Sequence, residues 1–102
     1  MDEQSATLHR TLNIFKALAV ETRLRLLLRL LDGERCVCQL YPGLGEQSNV
    51  SRHLIKLREL GIVKRRDDAQ RHYYSIADER IDHMLRKFGL RAEKTAVSCE
   101  VE

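Results

Sequence analysis

The sequence predicts a mainly α-helical domain that carries one small β-hairpin. Its 102 residues are enough for one hydrophobic core and too few for a second. Leucine-rich stripes recur at helical spacing in several segments, whereas one segment, residues 62–76, alternates as a strand pair does. With 43% hydrophobic and 32% charged residues, the composition is that of a globular chain. We therefore expect one domain over residues 1–102, with its core at about 7–90 and a C-terminal tail at 91–102.

The helical segments follow in order along the chain. Apolar residues spaced by three and four predict a first helix over residues 7–18, and VETRLRLLLRLLDG predicts a second, mostly buried helix that Gly33 ends. In CVCQLYPGLG, Pro42 limits any helix to a turn or two. Residues 47–60 form an amphipathic helix with a basic outer face, ended by Gly61, and residues 78–90 form the last helix.

Residues 62–76 predict the hairpin. IVKRR and RHYYSI alternate in the manner of strands, and DDAQ lies between them as a polar tip. Because no Asn-Gly or Asp-Gly pair marks the turn, we expect a loop longer than two residues. The whole order of elements, including a short helix before the basic one, is that of a winged helix-turn-helix.

Positive charge is concentrated in one window of the chain. The net charge is +3, but residues 47–73 alone carry seven Lys or Arg against three Asp or Glu, a net charge of +4. A basic face of this kind suits a phosphate backbone, and it equally suits a solvated protein surface. The chain lacks a glycine-rich phosphate loop and a nucleophile paired with a base, so we expect no enzyme. It also lacks an apolar run long enough for a membrane helix and a signal-peptide pattern, so we expect a cytoplasmic protein without membrane contact.

The stretch ERCVCQL places two thiols one residue apart, and the chain has only three cysteines. An odd number in a reducing compartment disfavours a disulfide framework. The pair is either small core filling or a soft ligand set for a metal. On an ideal helix residues i and i+2 point about 200° apart, so ligation of one ion by both thiols requires local unwinding.

The ordered set of motifs resembles the ArsR/SmtB family of metal-responsive bacterial repressors over roughly residues 12–90. The motifs that carry the resemblance are ALAVETRLRLLLRLL, ERCVCQL, VSRHLIKLRELGIV and RHYY. The resemblance implies a homodimer, joined through its first and last helices, that binds double-stranded operator DNA and releases it when metal binds. It also implies groove contacts from the basic helix and backbone contacts from the hairpin, with these residues: Ser48, Asn49, Ser51, Arg52, His53, Lys56, Arg65, Arg66, Gln70 and Arg71.

The resemblance further assigns the thiol pair to the inducer site. Cys36 and Cys38 would bind As(III) or Sb(III), with Cd(II), Pb(II) or Zn(II) as other soft or borderline candidates. In the arsenic-responsive branch a further cysteine follows three residues later, where this chain has Tyr41, so a third thiolate would be Cys99 of the same or the partner subunit. A thiol-based redox regulator of the same fold is the alternative. Val20 stands where the family usually has a polar cap, so we expect an uncapped second helix.

Overall fold

The computed structural model describes residues 2–94, which form five helices and a three-stranded sheet. The elements in chain order are α1 (Glu3–Leu18), α2 (Glu21–Leu30), β1 (Arg35–Cys36), α3 (Val37–Leu40), α4 (Gln47–Glu59), β2 (Val63–Asp68), β3 (Arg71–Ile76) and α5 (Glu79–Lys87). This is the predicted mainly α order of a winged helix-turn-helix, with α4 as the second helix of the motif and β2–β3 as the wing. Within residues 2–94, no helix is long and apolar enough to cross a bilayer.

Local side-chain and backbone bonds explain where the helices begin and end. Asp2 caps α1 by accepting a hydrogen bond from the Ser5 backbone N–H at 2.7 Å, so the helix begins before the predicted residue 7. α2 begins after Val20 without a side-chain cap, as predicted. Gly61, with a φ of +76°, ends α4 as predicted. The bonds from Gly61 N to Arg58 O and from Ile62 N to Leu57 O, both 3.0 Å, complete a Schellman motif.

The core is built almost entirely from aliphatic side chains, and α2 and α4 contribute three buried residues each. Each helix buries one stripe, and α3, the sheet and α5 close the remaining sides. The fully or nearly fully buried side chains include Leu26, Leu27, Leu30, Leu40, Val50, Leu54, Leu57, Ile62, Val63, Tyr74, Ile81 and Leu85. This packing fixes the orientation of α4, because a helix with one face buried can present only the opposite face to a ligand.

The sheet has one more strand than the sequence predicted. β1 pairs antiparallel with β3, and β3 with β2, in the order β1-β3-β2. β1 places Cys36 opposite Tyr73. Two residues are too short a segment to show strand alternation, which is why the sequence pattern did not reveal β1.

The wing turn also differs from the prediction. Asp68 pairs with Arg71, so only Ala69 and Gln70 connect the strands, and the expected longer loop is wrong. A two-residue hairpin turn needs at least one residue with positive φ. Here Ala69 supplies it, at +57°, in place of the usual glycine or asparagine.

Candidate nucleic-acid interface and thiol pocket

α4 presents a polar face opposite its buried stripe. Ser48, Asn49, Arg52 and Lys56 are exposed, and Ser51 is half-buried beside them. Arg52 donates to Asn49 Oδ1 at 3.4 Å, so the two side chains suited to base edges lie together on one surface. Ser48 lies inside the helix, whose N-cap is Glu46, and therefore does not serve as the cap. The structure thus brings this part of the predicted groove-contacting set onto one exposed helical face.

His53 faces α2 instead of standing out from that surface. Arg23 Nε donates to His53 Nδ1 at 3.0 Å, and the histidine is half-buried. Burial, followed by the nearby charges of Arg23 and Arg52, lowers the pKa of His53 below 6.5. The ring is therefore neutral at pH 7, and its Nδ1 is free to accept from Arg23.

Two arginines of the wing, Arg65 and Arg66, are paired with carboxylates. Arg65 Nε donates to Asp67 Oδ1 at 2.7 Å, and this bond, with a second one involving His72, lowers the pKa of Asp67 to about 2. Arg66 lies over the Tyr73 ring at 4.6 Å. Gln70 is exposed at the wing tip, and Arg71 is half-buried at the start of β3. Tyr74, the neighbour of Tyr73 on the other face of β3, is a core residue.

An ion pair joins the wing to the segment before the thiols. Arg66 binds Glu34 through two bonds, Nε to Oε2 at 3.0 Å and Nη2 to Oε1 at 2.8 Å. The geometry is bidentate, which is the strong form of an arginine–carboxylate contact. Glu34 immediately precedes β1, so a change in the position of β1 is transmitted to the wing through this pair as well as through the sheet.

The two thiols of ERCVCQL line one surface pocket of about 240 Å³. Cys36 is 5% exposed, whereas Cys38 is half-buried. The other walls come from α3, the start of α4 and the start of β3, and the full lining is Cys36, Val37, Cys38, Tyr41, Gln47, Gln70, Arg71 and His72. The pocket is therefore in contact both with the first residue of α4, the recognition helix of the motif, and with the wing.

Cys36 occupies the N-cap position of α3 in an extended conformation, with φ −70° and ψ 147°. Its backbone N–H donates to Gln39 Oε1 at 3.2 Å, and its sulfur faces the Gln39 backbone N–H in a capping box. The thiols are thus separated by a helix start, and the expectation for two residues of one ideal helix does not apply to this pair. Movement of the first turn of α3 would change their separation.

A half-buried arginine ties the end of α3 to α2 and to the segment after α5. Arg29 Nη1 donates to Leu40 O at 2.9 Å and to Pro42 O at 2.7 Å, and its Nε donates to Glu93 Oε1 at 3.1 Å. Glu93 also donates its backbone N–H to Leu28 O at 2.9 Å. Sequence reasoning missed this cluster and Glu34, because no local pattern marks residues that pair across the fold.

The third predicted ligand, Cys99, lies outside the described residues. In the part of the chain from residue 2 to residue 94, no group of three or more His, Cys, Asp or Glu side chains is placed to hold a metal ion. On α5, Asp82 pairs with Arg86 at 2.7 Å, and His83 faces solvent.

A further surface of the domain, carried mainly by α1 and α5, is apolar. A shallow depression of about 530 Å³ lies between α1 and α5, lined by Phe15, Leu18, Ala19, Leu24, Met84, Leu85, Phe88 and Leu90. Phe15 is 52% exposed, Phe88 is 77% exposed, and Leu8 and Leu12 continue the surface along α1. On α5, Ile81 and Leu85 are buried in the core.

The basic recognition helix, the wing and the sheet order define a DNA-binding winged helix-turn-helix domain. Comparison with known proteins gives the family. Residues 21–65 match the model of the bacterial regulatory protein, arsR family. The cadmium resistance transcriptional regulatory protein CadC homolog of Staphylococcus aureus is 35% identical over 85 residues, which are 81% of this chain and 70% of that protein.

Two further matches agree with this assignment. The arsenic resistance transcriptional regulator ArsR1 of Pseudomonas putida is 44% identical over 68 residues, 65% of this chain, and the chain spans about half (53%) of that protein's length. The solution structure of the homodimeric winged helix-turn-helix domain Mb0332 from Mycobacterium bovis has a TM-score of 0.78 at 31% identity, over 87% of this chain and 83% of that one. The chain belongs to the arsR family, and its relatives and its fold are those of DNA-binding transcriptional regulators and not of enzymes.

Proposed function

We propose that the protein is a homodimeric repressor that releases its operator when a soft metal or metalloid, As(III) or Sb(III), binds Cys36 and Cys38. The observation that carries the proposal is that one pocket contains both thiols, the first residue of α4 and the first two residues of β3. Resistance regulators for arsenic and cadmium among the relatives support this class of inducer. Arsenic(III) and cadmium(II) are soft or borderline ions, and such ions suit thiolate ligands.

The donor set fits such an ion as far as the described residues extend. Two thiols line the pocket, one of them partly accessible to solvent, so an ion can enter from outside. When bound, the ion would supply a bridge between the two thiolates, and Cys99 is the proposed third ligand. Glu93 is anchored to Arg29, whose guanidinium also binds the carbonyls at the end of α3. Cys99 lies six residues after Glu93 in the sequence, and six residues span at most about 20 Å.

The coupling to DNA follows from what the chain's own residues do. Cys36 ends β1, and β1 is bonded to the wing through β3 and through the Glu34–Arg66 pair. Cys38 lies in α3, and the short turn after α3 leads to α4. A shift of the first turn of α3 therefore changes the relative position of the recognition helix and the wing, which must both fit one DNA duplex.

The groove contacts are proposed for Ser48, Asn49, Ser51 and Arg52, and backbone contacts for Lys56 and the wing. Exposure and residue chemistry support Asn49 and Arg52 as base-edge contacts. His53 is proposed to act by positioning Arg23 and not by touching a base, because its ring is directed to α2. Arg65 and Arg66 reach phosphates only by exchanging their carboxylate partners, while Gln70 and Arg71 complete the wing surface.

The homodimer is proposed to form through the apolar surface between α1 and α5. Side chains as exposed as Phe15 and Phe88 favour burial against a second copy, and the similar Mb0332 domain is described as homodimeric. Sedimentation should show a dimer at micromolar concentration, and Phe88→Glu should convert it to a monomer while the fold persists. A monomeric wild-type protein, free and on DNA, would contradict this part of the proposal.

The inducer site is tested with Cys36→Ser and Cys38→Ser. Both variants should bind operator DNA with wild-type affinity, measured by fluorescence anisotropy, and both should lose the response to arsenite. The coupling free energy between inducer and DNA, about 1–3 kcal/mol in allosteric proteins, should vanish. Cys99→Ser tests the third ligand in the same titration.

The metal proposal would be contradicted if arsenite, antimonite, cadmium, lead and zinc all left the DNA affinity of the wild-type protein unchanged under reducing conditions. Release by peroxide, reversed by a thiol reductant, would favour the redox alternative.

A further inference from the structure

A basic pocket lies beside the predicted interface, where three helices meet. Its volume is about 280 Å³, and its lining is Asn13, Lys16, Ala17, Arg23, Lys56 and Leu60. One cation comes from each of α1, α2 and α4, and the lining contains no carboxylate. Of these three cations, only Lys56 lies in the basic window of the sequence.

Arg23 is held in place without being neutralised. Its Nε donates to His53 Nδ1 at 3.0 Å, and its Nη1 donates to Ala17 O at 3.3 Å. Both acceptors are uncharged, since His53 is neutral at pH 7. The guanidinium is therefore oriented by the fold while its positive charge remains available to an anion.

Six other arginines of the described chain are in the opposite state. Each of these has a carboxylate partner within 4 Å: Arg25, Arg29, Arg65, Arg66, Arg80 and Arg86. Among residues 2–94, no ion pair involves Lys16, Arg23 or Lys56. Three like charges around one pocket repel each other, and a bound polyanion would relieve this repulsion.

The position of the pocket identifies the anion. Lys56 follows Arg52 by one helical turn on α4, and His53, which orients Arg23, is the next residue after Arg52. If the N-terminal half of α4 enters the DNA groove, its C-terminal half lies near the sugar-phosphate backbone at the edge of that groove. We propose that the pocket binds a backbone phosphate of the DNA flanking the recognised groove, with Lys16 and Arg23 as phosphate ligands additional to Lys56. This inference rests on the DNA-binding function of the family.

The test is the salt dependence of binding to a random-sequence duplex, because a phosphate contact is independent of sequence. Each contact contributes about 0.9 to the slope of log K against log salt concentration. For each subunit that contacts the duplex, Lys16→Gln should reduce the slope by about 0.9, and Lys16→Gln combined with Lys56→Gln by about 1.8, so a dimer with both subunits on DNA should show twice these changes. The matched control is Lys87→Gln, which removes the same charge from exposed α5 and should leave the slope unchanged.

A second arm locates the contact on the DNA. Neutral methylphosphonate linkages are placed one at a time along an operator duplex. At one flanking position the substitution should weaken binding of the wild type and of Lys87→Gln, but not of Lys16→Gln. Equal slopes in Lys16→Gln and Lys87→Gln, with normal wild-type binding, would overturn the pocket alone. A wild-type protein that binds no duplex would overturn the DNA-binding function and the pocket with it.

A third arm separates backbone phosphate from free phosphate. The melting temperature is compared in inorganic phosphate and in chloride at equal ionic strength. We expect the same difference between the two salts in the wild type and in Lys16→Gln. A phosphate-specific rise that Lys16→Gln abolishes, together with an unchanged DNA slope, would assign the pocket to a small ligand and overturn the contact with DNA.

Discussion

Replacing Arg29 with methionine tests whether the end of α3 is held by one half-buried guanidinium. Methionine keeps the apolar stem in place but removes the bonds to Leu40 O and Pro42 O, at 2.9 and 2.7 Å, and the ion pair with Glu93. The Arg29 side chain is only 11% exposed, so water cannot easily replace the guanidinium at the two carbonyls. We expect Arg29→Met to destabilise the fold and to loosen α3.

The magnitude follows from the bonds that are lost. A hydrogen bond from a charged donor contributes about 1.5 kcal/mol or more, so two such bonds give about 3 kcal/mol. The ion pair adds little, because the Glu93 side chain is 29% exposed and its carboxylate can be rehydrated. The predicted loss in free energy of unfolding is therefore about 3 kcal/mol, a large part of the total stability of a domain of this size.

Urea unfolding followed by circular dichroism measures this loss, at one fixed protein concentration because a dimer's stability depends on it. Arg25→Met is the matched control. Arg25 binds the same Glu93 at 3.0 Å, but its side chain is 46% exposed and it bonds to no buried carbonyl. The loss of free energy of unfolding in Arg25→Met should be much smaller, because a solvent-exposed ion pair contributes little to stability. Equal losses in the two variants would refute the reasoning that the carbonyl bonds to α3 hold this part of the fold.

Two further predictions concern the interface. The lowered pKa of His53 means that the unfolded chain takes up a proton before the folded one, so stability is fully present above pH 6.5 and is lost as the pH falls below it. Urea midpoints should therefore decrease from about pH 7.5 to about pH 5.5, and His53→Gln should flatten that dependence; an unchanged slope would exclude His53 as the titrating group. In the wing turn, Ala69→Gly should stabilise the fold by up to about 1 kcal/mol, because glycine adopts a φ of +57° without strain. Gln70→Gly, at a residue without positive φ, should not stabilise, and a gain there equal to that of Ala69→Gly would contradict the assignment of strain to one residue.

Much of the fold could be predicted because the spacing of apolar residues along a helix shows which face of that helix is buried. Leucines at spacings of three and four mark the faces of α2 and α4 that the core covers, and Gly61 marks the end of α4 by the conformation it allows. The thiol pair and the basic helix could also be predicted as candidates, since side-chain chemistry and sequence proximity are written in the chain itself. These features depend on neighbours within about two helical turns, so one sequence contains the information needed to see them.

Other features were decided only when distant segments packed together. The short strand β1, the Arg66–Glu34 pair and the Arg29–Glu93 pair join residues 32 to 64 positions apart, and no periodicity relates such partners. The orientation of His53 toward Arg23 likewise depends on how α4 crosses α2. The neutralisation of charge on the wing and in the basic pocket also depends on packing. The sequence shows where the cations are. Whether a carboxylate neutralises each cation depends on distances of a few ångströms between separate elements, and tertiary packing alone sets those distances.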